Sequence, residues 1–408
     1  MHSKKILSMV IAGLFGTLVS GCNGGGSSSS SGASCSVGVA PAAPTESNEV
    51  QISAGCGANG VSATNVPFVS VTVYDEHGES QVIDHVLLDT GSSGFKVLKS
   101  QLNSSLTFSS VLQGNNTESP VYSCVTYGSG YMFGSNNYAG LQIGGQRANN
   151  VPIQIVNDTD RSIVPSSCSD LGNLADLMKT SGAKGILGVN PMTFESNSNV
   201  IMYTSNGGNY SLAIESAGPI PNLFVNPISA FTQHNNGAII SYPRVSNTAN
   251  TGVYGTLTFG VGTALNNVIP VSVNMVTGES SYLGYFGSNE NGWPVSGIFD
   301  SGTNTLGIGG YDIPTCANLS FCPSSPTTVT PSIYNYDGSG TRISLSVQLS
   351  SVEGLANYSI LPYWGNRLLP SYGQAIYGMP FFYGKNVYLE FYDNSQPDSY
   401  PRWGFAIQ

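Results

Sequence analysis

Charged side chains are scarce in this chain: 13 Lys and Arg with 23 Asp and Glu make up 9% of its 408 residues. Long surface helices draw on Glu, Lys and Arg, so few are expected. Disorder is excluded as well, because it combines low hydrophobicity with high net charge and here 40% of residues are hydrophobic. Basic residues are the scarcest of all; none stands between Lys5 and Lys96, and the formal net charge is -10. That sign disfavours nucleic acid and anionic lipid as partners, and no basic cluster offsets it. Gly-x-Ser-x-Gly, His-Glu-x-x-His, a Walker loop and a dinucleotide fingerprint are all missing. Four histidines supply no triad partner set. With no Cys-x-x-Cys and no Cys/His group at zinc spacing, neither a metal nor an organic cofactor is expected.

Long apolar runs are lacking too. Ile6 to Val19 is shorter than the ~20 residues of a spanning helix. Behind His2-Ser3-Lys4-Lys5 and ahead of Val19-Ser20-Gly21-Cys22, it reads as an export signal over residues 1–22. Small residues before a Cys resemble a bacterial lipobox, which implies a lipid anchor at Cys22. Asn23 is not the Asp that retains lipoproteins at the inner membrane, so outer-membrane anchoring is expected, with the membrane face left open. Residues 23–64 follow as a Gly/Ser-rich tether and a loosely held arm poor in strand signal. The remaining six cysteines form an even set suited to disulfides in an exported protein. Cys316 and Cys322 are close enough to staple a loop, and Cys35–Cys56 and Cys124–Cys168 are candidate pairs. Six cysteines allow fifteen pairings, and the sequence does not choose among them.

What the chain has in quantity is Gly (50), Tyr (22), Ser and Asn, the composition of short strands joined by many turns. Phe68–Tyr74, the turn Asp75-Glu76-His77-Gly78 and Val82–Leu88 read as a hairpin, with His77 a solvated turn residue. Strand signals recur at 121–126, 138–143, 151–156, 237–241, 255–260, 269–273 and 295–300. One helical pattern covers Asp170–Thr180, with Leu171, Leu174, Ala175 and Met178 on one face and Ser169 as N-cap. His85, four residues before Asp89, is expected on the same strand face as that residue.

Two stretches repeat one another: Val86-Leu87-Leu88-Asp89-Thr90-Gly91-Ser92-Ser93 and Gly297-Ile298-Phe299-Asp300-Ser301-Gly302-Thr303-Asn304. In each, an apolar strand runs into Asp, a hydroxyl residue, Gly and a second hydroxyl residue. One copy alone reads equally well as a strand end and a turn. Two copies in separate halves suggest carboxylates meeting across an internal two-fold axis. Facing carboxylates resist double ionisation and share a proton, preparing one as general base and the other as general acid. Gly91 and Gly302 leave room for the approach, and Ser92 and Thr303 can each donate to the neighbouring Asp.

These motifs resemble those of the pepsin-like aspartic proteases. About forty residues after Asp89, Tyr127-Gly128-Ser129-Gly130 is similar to that family's flap tip. Gly185-Ile186-Leu187-Gly188 and Ile376-Tyr377-Gly378 resemble its two apolar-Gly segments, and Gly255–Gly260 the opening of its second lobe. The hairpin from Ile83 to Gly94 also resembles uncharacterised bacterial lipoproteins distantly similar to pepsins. The likeness covers residues 65–408. It implies an all-β, bilobal fold with one β lobe at 65–232 and another at 233–408. It further implies that Thr90 and Ser301 interlock beneath the dyad, and that Tyr127, Gly128 and Ser129 close over an extended peptide. The expected activity is endopeptidase cleavage by a water activated between Asp89 and Asp300, with an acidic optimum, by a monomer. No basic prosegment is present to hold such a dyad latent.

Two departures accompany the resemblance. Lys96 stands where the family usually has the Trp that bonds the flap Tyr, and the second motif is Asp-Ser-Gly rather than Asp-Thr-Gly. The alternative is a catalytically silent relative that binds peptide or glycan in the same cleft.

Overall fold

The computed structural model describes residues 36–37, 39–113, 119–193, 200–213, 222–249, 251–280, 283–355, 358–368, 373–392 and 399–408. The export signal, Cys22, the Gly/Ser tether and Cys35 lie outside them. The fold is all-β, 46% strand against 8% helix, and includes a β-barrel. Among the described residues no helix is long and apolar enough to cross a membrane.

The opening hairpin forms as expected, Val66–Tyr74 against Ser80–Asp89. Asp75 shapes its turn by accepting the amides of His77 and Glu79 (2.9 Å each). His85 departs from expectation. Its φ is +53°, and the register passes from Val69–Val86 to Val71–Ile83, so the second strand carries one extra residue. That bulge breaks the alternation of faces. The His85 ring stays half-exposed beside Asp84 (3.1 Å), whereas Asp89 is buried.

Each Asp-bearing strand meets the same local arrangement. Gly185–Val189 lies parallel to Ser80–Asp89 (Gly188 opposite Asp89) and antiparallel to Ser93–Leu98. In the second half Gln374–Tyr377 lies parallel to Trp293–Phe299 (Tyr377 opposite Phe299) and antiparallel to Leu306–Ile308. The apolar-Gly segments are thus central strands wedged behind each Asp loop; Gly185–Val189 is buried throughout, whereas Gln374 and Ile376 of the second are half-buried.

The supposed arm contributes structure. Glu49–Gly55 pairs with Val66–Tyr74 on one side and Thr251–Phe259 on the other, burying Ile52 and Ala54. The ladder continues through Gly237–Tyr242, Lys385–Glu390, Arg402–Ile407 and Met275–Thr277, so one sheet joins the two halves. The largest apolar core cluster extends from Val71 and Phe95 to Phe299, Tyr377 and Trp403.

Two further expectations fail. Residues 170–176 are not helical; only Ser166–Ser169 and Leu177–Thr180 coil. Gly172 breaks the pattern at φ +146°, and Tyr131 exchanges backbone bonds with Asn173 and Ala175 (2.9 Å each). The N-cap is Asp176, which accepts the Lys179 amide, not Ser169, and Leu171 is exposed. Residues 269–273 form a turn, closed by the Val273 amide on Pro270 O at 2.9 Å, because proline has no N–H to give a ladder.

Cys124–Cys168 and Cys316–Cys322 are bonded. Cys56 is disulfide-bonded too, and the other half of its expected pair, Cys35, lies outside the described residues.

Candidate active site

Asp89 and Asp300 end parallel-flanked strands and face each other across the join of the two halves. Each is held by its own loop in the same way. The Gly91 amide (2.8 Å) and Ser92 hydroxyl (2.5 Å) donate to Asp89. The Gly302 amide (2.9 Å) and Thr303 hydroxyl (2.6 Å) donate to Asp300. The glycines are required by space, not by φ. A Cβ on Gly91 would stand 2.6 Å from Asp300 Cγ, and one on Gly302 2.5 Å from Asp89 Oδ1. No other residue lets the two loops pass this close.

Beneath the carboxylates, Thr90 and Ser301 cross over. Thr90 Oγ1 donates to Phe299 O (2.6 Å) and accepts the Ser301 amide (2.8 Å). Ser301 Oγ donates to Leu88 O (2.7 Å) and accepts the Thr90 amide (3.1 Å). Both hydroxyls are fully buried, and the hydroxyl and amide of Thr90 and of Ser301 each find these partners in the other half.

Burial is the first cause that moves the Asp300 carboxyl, and the Asp89 charge beside it the second. A hydrogen bond with Asp89 adds to both. The donations from Thr303 and Gly302 oppose them, and the outcome is a carboxyl pushed up to about 8. The pair therefore holds a proton to higher pH than a lone carboxyl would.

The residues expected at a flap share this cleft. Strands Ser119–Tyr127 and Gly130–Ile143 form a hairpin whose turn is Gly128-Ser129, with Tyr127 paired to Gly130. Tyr127, Gly128 and Ser129 line a cleft together with Asp89, Gly91, Ser92, Asp300, Gly302 and Thr303. Every site residue expected within the described part of the chain is thus at the cleft or, for Thr90 and Ser301, directly under it. The disulfide Cys124–Cys168 fastens the hairpin to the Ser166–Ser169 turn of helix.

Sequence reasoning missed the walls. Leu87, Met132, Leu177, Leu283, Tyr285 and Gln374 also line the cleft, and nothing local marks them. It also missed what becomes of Lys96. That side chain is wholly buried, with Nζ donating to Ser93 O (2.6 Å), 4.8 Å from the Phe224 ring centre and 5.7 Å from that of Tyr127.

Among the described residues one grouping of ligand type lies elsewhere, Cys316 and Cys322 with Glu353, but its thiols are spent in a disulfide.

Residues 44–404 match the family described as protein of unknown function DUF3443, and the chain belongs to that family. No curated protein matches the chain.

Proposed function

We propose that this protein is an aspartic endopeptidase of pepsin-like, bilobal architecture. The observation that supports it most strongly is the interlocked pair of Asp loops. Four buried hydrogen bonds join the halves directly beneath the point where two carboxylates face one another. A structural role does not require this expense, since paired buried carboxylates destabilise a fold.

The chemistry follows from the asymmetry of the pair. A water seated between the carboxylates gives a proton to Asp89 as its oxygen bonds to the scissile carbonyl carbon. Asp300, already protonated, gives its proton to the carbonyl oxygen, so a neutral diol forms. The proton on Asp89 then passes to the amide nitrogen as the C–N bond breaks, and a diol hydroxyl returns its proton to Asp300. Tyr127 closes the cleft above and excludes bulk water. An extended peptide would place apolar side chains against Leu87, Met132, Leu283 and Ile298. Because Asp300 holds its proton to about 8, the active window reaches neutral pH and closes on the alkaline side. The disulfides suit an oxidising compartment outside the cytoplasm, in keeping with an exported lipoprotein anchored at Cys22.

The test is cleavage of an unfolded protein by the full chain, from acidic to alkaline pH, beside Asp89→Asn and Asp300→Asn. Cleavage by the wild type that falls about 10²- to 10⁴-fold in either variant is expected. Folded wild type that cleaves nothing at any pH would sink the proposal in favour of a binding cleft.

A further inference from the structure

Asn65 is a wholly buried side chain whose four hydrogen bonds all cross from the first half of the molecule to the second. It stands just before Val66–Tyr74, in which Phe68 lies opposite Leu87, so the chain reaches Asn65 beside the end of the Asp89 strand. Its φ is +55°, a conformation that asparagine adopts more readily than most residues. Nδ2 donates to Asn304 O (2.9 Å) and Leu361 O (3.0 Å). Oδ1 accepts the Leu361 amide (3.0 Å) and the Tyr383 hydroxyl (3.1 Å). A carboxamide has two donors and two acceptor positions, so its capacity is filled. One of the four bonds acts on the catalytic dyad, because Asn304 follows Thr303, whose hydroxyl holds Asp300.

The two Asp loops are fastened differently where they leave the site. Behind the first, the Asn190 amide donates to Ser92 O (3.0 Å) and the Asn190 side chain accepts the Ser93 hydroxyl. At the matching place behind the second, the Met379 amide donates to Thr303 O (2.7 Å), but a methionine side chain offers no comparable hold on the next residue. That next residue is Asn304, and its carbonyl is held from the other half, by Asn65. Thr303 thus sits between two fixed carbonyls, its own on Met379 and the following one on Asn65.

We infer that Asn65 is a positioning residue that fixes the exit of the Asp300 loop and so keeps the Thr303 hydroxyl on Asp300. Its effect on turnover rests on the proteolytic reading above; its hold on the loop does not. The bonds to Leu361 and Tyr383 bear on stability alone. The bond to Asn304 predicts more, because a loosened loop lets Thr303 donate less well. Burial and the facing Asp89 charge raise the Asp300 carboxyl, and the donations from Thr303 and Gly302 oppose them. Weakening the Thr303 donation therefore lets the pair keep its last proton to higher pH.

Asn65→Gly keeps the positive φ and removes the side chain. In the full chain, kcat per folded molecule should fall about tenfold at nearly constant KM, and the alkaline limb of the pH profile should move to higher pH. Tyr383→Phe takes one bond from the same amide without touching Asn304, so it should cost stability and leave the limb in place. Thr303→Val should move the limb in the same direction, and joining it to Asn65→Gly should add nothing further. A limb unmoved in Asn65→Gly, or additive effects, would overturn the proposal. If Asn65→Gly does not fold, Asn65→Asp decides. It keeps the shape and both acceptor positions, but the new carboxylate, once ionised, faces two carbonyls with no proton to give. Activity should then be near that of the wild type at acidic pH and lost at neutral pH, in a chain still folded by circular dichroism. A profile that overlays the wild type would overturn the proposal. Should the wild type cleave nothing, the proteolytic reading falls and amide hydrogen exchange tests the hold on the loop by itself. Residues 302–306 should exchange about tenfold faster in either variant, with the Ser80–Asp89 strand still protected, and equal exchange would overturn it.

Discussion

Thr90 shows how much one hydroxyl decides at this site. It gives its proton to Phe299 O and takes the Ser301 amide, both across the join of the halves. Thr90→Val keeps the shape but leaves that buried amide without a partner, which costs about 1–3 kcal/mol. Thr90→Ser should restore most of it, and chemical denaturation of the three proteins measures the difference. Asp300 makes a second prediction at the same scale. Its folded carboxyl lies at about 8, above the ordinary 3.8 of the unfolded chain. A raised value stabilises the fold fully below the unfolded pKa and loses that contribution as pH rises through the folded one. Wild-type stability should therefore fall between about pH 4 and pH 8. Asp300→Asn, with nothing to ionise, should flatten that slope and be the more stable protein at alkaline pH. A slope that survives the substitution would place its origin elsewhere.

Strands and hairpins carry a different kind of information. The first hairpin was legible because alternation, a turn rich in Asp and Gly, and β-branched residues all agree between Val66 and Asp89. The 170–180 helix was misread because its apolar spacing comes from packing beside the flap, where Leu174 bridges Tyr131, not from a helical face. Glu49–Gly55 was missed because it is weak by itself and is made a strand by neighbours on both sides. The flap hairpin has its own lock in Cys124–Cys168, which spans 44 residues. Replacing both cysteines with Ala should lower stability by about 2–4 kcal/mol and quicken exchange in the hairpin before the rest unfolds. Equal exchange in both proteins would show the clamp to be idle.

Across the whole molecule, the two halves are bound by a sheet to which both contribute, not by the site alone. Its position makes a prediction about the N-terminal region. Deleting residues 36–55 exposes the edges of Val66–Tyr74 and Thr251–Phe259 at once, the situation in which open sheet edges aggregate. Such a chain should be insoluble or melt without cooperativity, as thermal circular dichroism would show. A cooperative melt near that of the intact protein would make the segment the dispensable arm that its composition suggests.

Sequence by itself determined the all-β class, both Asp loops, the Gly128-Ser129 turn and the two apolar-Gly strands. Each is a short local pattern whose chemistry is complete within a few residues: a strand end, a glycine with no Cβ to clash, a hydroxyl three residues from its carboxylate. Tertiary structure alone decided the rest. Leu283 and Tyr285 reach the cleft, Lys96 is enclosed under Tyr127, and Glu49–Gly55 becomes the seam between halves. The physical reason is common to all three. A side chain's role there is set by neighbours tens to hundreds of residues away, and only long-range pairing brings those neighbours into contact.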